Sequence, residues 1–452
     1  MDARPSILFI IADDASWCHF RAYGEKAVQT PHFDSVAREG ALFQHAYCAS
    51  PSCTPSRGAI LTGQHIWRLG EGGNLWSFWP NTAPIYTDLL ATTGYKIGLT
   101  GKGWSPGDFT KYGRKDNPAG PPFANFDAFL ATLPPDTPFC FWFGSQNPHR
   151  TYKKGSGLAR GKKLESVTVP PFLPDTPEVR SDLLDYLSEI EDFDAELGRL
   201  LAALERTGRA QNTLVVVTSD NGFPFPHGKT NLYDAGTRMP LAMRWPGHIK
   251  PGTVSDALVS HTDFAPTFLE AAGIKIPDTV TGQSLLSLLT SPQPLPASRR
   301  GSNRDVVYFG RERHFVKARM GNAGYPVRAV RTRDFLYIHN LAPDRWPAGD
   351  PPLFSDIDQA DSINGSPSKQ AVVEGSDRRF AAWATEKRPA EELYDLKADP
   401  HQLTNVTADP KHAKMLARLR TQLDETLRKT GDPRVSGKDD FDRYPSSSGP
   451  RK

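Results

Sequence analysis

Cysteine is scarce in this chain. Its four cysteines, Cys18, Cys48, Cys53 and Cys140, are spread over 452 positions, too few and too irregularly spaced for a disulfide framework or a zinc site. They do not fix a redox compartment. Long apolar runs are missing too. Stretches such as Ile7–Ala12 and Leu214–Val217 fall far short of the roughly twenty residues of a membrane-spanning helix, so no membrane partner is expected. Nor is there an excess of one charge. The 54 basic and 51 acidic side chains leave a net charge of +3 and no global footprint for nucleic acid; anion recognition has to be local. Met1 to Ser6 shows no basic segment leading into an apolar stretch and a small-residue cleavage site. As written, the sequence reads as cytoplasmic, or as periplasmic or secreted if a leader has been removed. No internal repeat is visible.

What is present is a repeated pattern. Four short apolar runs of strand type each end abruptly in chemically capable residues. Ile7–Ala12 ends in Asp13-Asp14, Tyr95–Thr100 in Gly101-Lys102, Phe139–Phe143 in Asn147-Pro148-His149-Arg150, and Leu214–Ser219 in Asp220-Asn221-Gly222. Continuous apolar strands indicate a sheet buried on both faces. Helical spacing lies between them, notably over Ser181–Thr207, with Ser181 as N-cap and Gly208 as stop. Strands alternating with helices predict an α/β fold with a mixed, mainly parallel sheet flanked by helices. Ligands of such sheets sit beyond the carboxyl ends of the strands, where all four polar clusters converge.

The length favours one large domain and a smaller one. The Pro-, Ser- and Arg-rich stretch Ser291–Asn303 reads as the link, giving a catalytic domain over 1–304 and an α+β subdomain over 305–432. That subdomain holds strand-like pieces at Val306–Phe309, Val327–Val330 and Phe335–His339, a polar loop around Asp344–Asp377 and a helix at about Pro410–Lys429. They predict a small antiparallel sheet with one packing helix. Residues 433–452 are polar and unpatterned, and read as a flexible tail.

The most specific local feature is Cys53-Thr54-Pro55-Ser56-Arg57. Pro55 suits the first turn of a helix, where its missing N–H costs nothing. Ala59, Ile60 and Leu61 continue the helix and Gly63 can end it. Cys53 then sits at a helix N-terminus, whose unpaired N–H groups favour an anion, and Arg57 follows one turn on as a fork for an oxyanion. An arbitrary cysteine is ordinarily an inert structural thiol; this setting is not arbitrary.

Cys-x-Pro-Ser-Arg resembles the modification motif of type I sulfatases, in which the cysteine becomes formylglycine. The resemblance continues in order along the chain. Asp13-Asp14 resembles the family's first metal pair, Thr30-Pro-His-Phe-Asp34 with Gly40-Ala-Leu-Phe43 its lead-in, Gly101-Lys102 its active-site lysine, and Asp220-Asn221-Gly222 its second metal pair. Glu392-Leu-Tyr-Asp-Leu-Lys-Ala-Asp-Pro400 is similar to its C-terminal segment. Within the family, Ser219–Tyr233, Asn147–Arg150 and Pro171–Pro177 resemble the N-sulfoglucosamine sulfohydrolase branch. That branch has arginine at the basic position where this chain has Lys229, which keeps the charge but loses a two-pronged grip.

The resemblance implies an alkaline-phosphatase-like fold and hydrolysis of a sulfate ester or sulfamate on a sugar. It implies Ca2+, with Mg2+ as second choice, held by Asp13, Asp14, Asp220, Asn221 and the converted Cys53; an oxygen-only set suits a hard cation. It also implies a maturation partner, either a formylglycine-generating enzyme or an anaerobic sulfatase-maturating enzyme. One hydroxyl of the hydrated formylglycine attacks sulfur, and the other then expels sulfate. Arg57, Lys102 and Lys229 hold the sulfonyl oxygens, and His149 protonates the leaving group. Many family members carry a histidine two residues after the lysine; here that place is Trp104. The base of the second step is then unassigned, with His19 and His65 as candidates by type, and Trp104 becomes a candidate wall for stacking a sugar. His65 fits better as a support behind the nucleophile loop. Arg313 and His314, just after a second-domain strand, could reach the sugar. Two other readings remain open: a phosphonate monoester or phosphodiester hydrolase of the same superfamily, and a non-catalytic relative that binds sulfated glycan.

Overall fold

The computed structural model describes residues 4–289, 304–357, 366–438 and 441–448. The stretch Ser291–Asn303, read above as a link, lies outside the described residues. In chain order the first ten strands are β1 Ser6–Ala12, β2 Ala41–Tyr47, β3 Ser77–Phe78, β4 Lys96–Gly101, β5 Gly107–Asp108, β6 Phe139–Gly144, β7 Thr213–Ser219, β8 Arg238–Met239, β9 Leu241–Arg244 and β10 Thr253–Ser260. Among the described residues they build an eight-stranded sheet in the order β10-β2-β9-β7-β1-β6-β4, with β8 beside β2, while β3 pairs with β5. β1 runs parallel to β6 and β7, β4 to β6 and β10 to β2; only β8 and β9 run antiparallel to their neighbours. The expected mixed, mainly parallel sheet is what forms.

The reason is legible in β1. All seven of its residues are buried. Leu8, Ile10 and Ala12 join a core with Phe20, Phe33 and Leu184, whereas Ile7, Phe9 and Ile11 join a second core with Phe264 and Phe268. Side chains alternate between faces, and helices cover both, so every position from Ile7 to Ala12 is apolar. Burying each such Ile or Leu contributes about 1.5–3 kcal/mol.

The long helix spans Pro177–Arg206, four residues earlier at its start than the Ser181 cap expected from sequence. Thr176 accepts the Val179 N–H as N-cap, and Pro177 occupies the first turn, a pairing that outranks an interior serine.

The second sheet is antiparallel, in the order β11 Val307–Arg311, β12 Val327–Arg331, β13 Phe335–Asn340 and β14 Glu391–Asp395. β14 escapes sequence reading because acidic residues disfavour strands. Its Glu392 is nonetheless buried, accepting from the Tyr233 and Tyr394 hydroxyls at 2.8 and 2.5 Å. The helix Ala413–Thr430 lays Leu419, Leu423 and Leu427 against Val330, Tyr337 and Leu393 of this sheet. Within the stretch read as a polar loop, a helix forms at Pro367–Glu374, and Ser368 donates to Asp182 at 2.6 Å. Phe441, within the stretch read as a tail, is packed against the fold. Phe441 is 1% exposed, packs with Trp67 and Leu427, and its carbonyl accepts from Asn74 at 2.9 Å. Two aromatics among polar residues, Phe441 and Tyr444, are easily passed over. No helix among the described residues is long and apolar enough to cross a membrane.

Candidate active site

β7, β1, β6 and β4 are adjacent and parallel, and their registers pair Ala12 with Ser219, Ile11 with Gly144, and Gly101 with Gly144. Asp13-Asp14, Asp220-Asn221, Lys102 and the 145–149 loop therefore leave the sheet on one edge. β2 delivers the fifth component. After Tyr47 a short loop leads into the helix Cys53–Thr62, which begins at Cys53, has Ser52 at its N-cap position without a side-chain cap hydrogen bond, and ends at Gly63 in the left-handed region at φ 66°. Every residue of this helix is buried.

Cys53 Sγ lies 3.7 Å from Asp13 Oδ1 and 3.9 Å from Asp14 Oδ1. Ligand atoms of Asp13, Asp14, Cys53 and Asp220 all lie within 4.8 Å of one another, as do those of Asp14, Cys53 and His149. The cations interleave with the acids. Lys102 Nζ contacts the two oxygens of Asp13 at 2.8 and 2.6 Å. Lys229 Nζ contacts Asp14 Oδ2 at 2.7 Å. Arg57 Nε donates to Asp220 Oδ2 at 2.8 Å, and its Nη1 donates to the Gly103 carbonyl at 3.1 Å. Arg57 Nη2 is buried without a hydrogen-bond partner and lies 3.7 Å from Asp13 Oδ1.

Burial pushes the Asp13 carboxyl up, but Lys102, His149 and Arg57 outweigh it and hold it below the usual carboxylate range. Burial acts likewise on Asp14, where Lys229, His149 and Lys102 prevail. Both stay anionic. Burial also pushes the Cys53 thiol well up against the pull of Lys102 and Lys229, so the unmodified thiol is a poor nucleophile at neutral pH.

Asn221 decides what the acidic pocket can hold. Its Nδ2 donates to Asp14 Oδ1 at 2.6 Å, while its Oδ1 is buried with no hydrogen-bond partner. A buried, unpaired amide oxygen beside three carboxylates fits a hard divalent cation. Asp14 holds φ 77°, a left-handed backbone uncommon outside glycine and found where surroundings over-determine it.

His149 is the one half-open member, its side chain 27% exposed, with Nε2 3.8 Å from Asp14 Oδ2. Its Nδ1 meets the Arg150 carbonyl at 2.5 Å. A carbonyl only accepts, so Nδ1 carries a proton and Nε2 is the atom presented to the site. Arg150 is fixed in turn by a two-pronged pair with Asp182, both contacts at 2.8 Å, and by the Pro224 carbonyl at 3.0 Å.

Several sequence expectations are corrected here. Trp104 is 1% exposed, belongs to the core under the sheet and meets Trp79 edge-on at 5.2 Å; it offers no face to a sugar. Trp104→Phe is therefore expected to leave KM unchanged and to cost on the order of 1–3 kcal/mol of stability, read as a lowered Tm. Arg313 is also buried, with its guanidinium turned to the Tyr444 carbonyl at 3.0 Å. His314 is buried and pairs through Nδ1 with Ser52 Oγ at 2.8 Å, so it braces the residue before Cys53 instead of reaching for a sugar. His19 packs against Tyr186 and Phe223, and burial draws its imidazole down to about 3, which suits no base near neutral pH. His65 is stacked on Trp67 at 4.4 Å.

His261 was missed. It lies 3.3 Å from Ser56 Oγ, whose hydroxyl donates to the Asp220 carbonyl at 2.6 Å, and so links the nucleophile helix to the second acidic pair. The signal was available in part: the apolar run Ala257–Val259 that closes β10 leads into Ser260-His261-Thr262-Asp263.

Comparison with known proteins agrees with this architecture. The family model described as sulfatase matches residues 5–274, and the model for the C-terminal region of N-sulphoglucosamine sulphohydrolase matches residues 226–374. Human N-sulphoglucosamine sulphohydrolase is 31% identical over 97% of this chain and 93% of its own length. An ulvan-active sulfatase of Formosa agariphila is 27% identical over 95% of this chain and 76% of its own. The solved structure of a protein in complex with its substrate D-glucosamine-2-N,6-O-disulfate superposes with a TM-score of 0.71 at 21% identity, covering 98% of this chain and 100% of the other. The fold and the family define a hydrolase of sulfate compounds. The chain belongs to the sulfatase family.

Proposed function

We propose that this sulfatase releases inorganic sulfate from an N-sulfated glucosamine unit of a glycosaminoglycan fragment. The observation that carries the reading is the meeting of Cys53 with Asp13, Asp14 and Asp220 in one buried cluster. The choice of sugar is supported by the C-terminal match and by the human relative, which spans nearly the whole chain.

Asp13, Asp14, Asp220 and Asn221 would hold a divalent cation, Ca2+ before Mg2+, which when bound supplies Lewis-acid polarisation of the sulfuryl oxygens. Cys53, converted to formylglycine by a maturation enzyme, supplies a hydrated aldehyde with one hydroxyl to attack sulfur and one to expel sulfate. The remaining work falls to unmodified side chains. Arg57, Lys102 and Lys229 hold the sulfuryl oxygens and offset the charge gathering there. Arg57 is already immobilised by Asp220 and backbone carbonyls, so little reorganisation accompanies the reaction. His149, carrying a proton on each ring nitrogen, delivers the one on Nε2 to the departing nitrogen while Nδ1–H stays on the Arg150 carbonyl, and Arg150 with Asp182 fixes the loop that aims it.

Sulfate released from a panel of defined substrates tests the reading: N-sulfoglucosamine, glucosamine 6-O-sulfate, an aryl sulfate and an aryl phosphonate. N-Sulfoglucosamine is expected to give the highest kcat/KM. Preference for the 6-O-sulfate overturns the assignment of the N-sulfate as the scissile group, and faster turnover of the phosphonate overturns the sulfatase chemistry. Chelation is expected to abolish release and Ca2+ to restore it.

A further inference from the structure

A small cavity separates the loop after Lys229 from the second sheet, lined among others by Thr230, Tyr233, Arg311, Tyr325, Arg388 and Glu392. Most of its walls are fully buried, and only Asn231 and Arg388 reach partway to the surface. The space suits an occupant of one or a few atoms. Four polar groups on these walls are buried with no hydrogen-bond partner: Thr230 Oγ1, Arg311 Nε, Tyr325 Oη and Arg388 Nε. Two are cationic donors and two are hydroxyls free to donate. Such groups are rarely left unpaired in a folded interior.

The local charges do not cancel. Glu392 also lines the cavity, but its oxygens are engaged by Tyr233, Tyr394 and Asn340 at 2.8, 2.5 and 2.7 Å. Arg311 and Arg319 share the single carboxylate of Asp356. Three guanidinium groups, those of Arg311, Arg319 and Arg388, thus face two carboxylates. Burial, joined by the Arg319 cation, outweighs Asp356 and draws the Arg311 guanidinium down to about 10, the response of a cation short of negative partners. Burial of Arg388, by contrast, is outweighed by Tyr233 and Glu392, which hold it up.

We propose that this cavity is a structural anion site of halide size, taking chloride, in which Arg311, Arg388, Tyr325 and Thr230 are the donors. The site adjoins the loop that carries Lys229. Thr230 follows Lys229, holds φ 73°, an outlier for a β-branched residue, and donates its N–H to the Pro51 carbonyl at 3.0 Å. Its own carbonyl accepts from Arg311 at 2.6 Å. An anion joining these donors fastens the Lys229 loop to the second sheet and leaves the reacting sulfate untouched.

The test uses the intact protein and sodium bromide as the heavy-atom probe. Crystals soaked in bromide should show an anomalous peak inside the cavity. In solution, replacing sodium gluconate by sodium chloride at constant ionic strength should raise Tm, following a saturable binding curve. Tyr325→Phe and Thr230→Val, which keep the shape of the walls, should each weaken that dependence. Water at the site in crystals that bind bromide elsewhere overturns the proposal. So does a Tm indifferent to the choice of anion, or a chloride response unchanged in both variants.

Discussion

Cys53→Ala is expected to abolish sulfate release, with a fall on the order of 10⁴–10⁶-fold in kcat, the range seen when a covalent nucleophile is removed. The substitution deletes one buried sulfur and leaves Arg57, Lys102, Lys229 and the acidic pairs where they are. Their mutual contacts, Arg57 with Asp220 and Lys102 with Asp13, do not pass through Cys53. Fold and substrate affinity should therefore survive, with Tm within a few degrees of the parent. Sulfate release by Cys53→Ala at the parent rate removes the nucleophile from the account. Unfolding, detected by circular dichroism, would reassign Cys53 to structure.

His149→Ala is expected to lower kcat for N-sulfoglucosamine on the order of 10²–10⁴-fold, the usual worth of a positioned acid. An amine leaving without a proton is a poor leaving group, and in the proposed mechanism that proton comes from Nε2 of His149, which lies 3.8 Å from Asp14 Oδ2. An aryl sulfate, whose phenolate departs unaided, should lose much less. Equal losses on both substrates would show that His149 acts by binding or by packing. KM separates those two, rising in the first case and holding in the second.

The site was legible because its chemistry sits at strand ends. A continuous apolar strand buried on both faces gives a strong local signal, and the residue following it is placed by sheet topology. Asp13, Lys102 and Asp220 were readable for that reason, and Cys53 through the proline and arginine of its helix start. His261 followed the same rule and was overlooked because its strand carries polar residues in its first half, Thr253–Asp256. Arg313 and His314 misled for a different reason. Burial does not separate them from Asp13 or Asp220, which are as deeply buried; their hydrogen-bond partners do, and those lie far away in sequence. The carbonyl of Tyr444 captures Arg313 and Ser52 captures His314. Trp104 shows the same limit, since only the packed core says whether an aromatic ring faces a ligand or Trp79. β14 needed knowledge of Tyr233 and Asn340, remote residues that satisfy Glu392.

The central claim is that an oxidised side chain at position 53, working beside the two acidic pairs, performs the hydrolysis. Peptide mass spectrometry can measure the fraction of Cys53 converted to aldehyde in preparations matured to different extents, each assayed for sulfate release from N-sulfoglucosamine. The rate is expected to rise in proportion to the aldehyde fraction and to extrapolate to zero for the thiol form. Fully unconverted protein releasing sulfate as fast as converted protein would contradict the account.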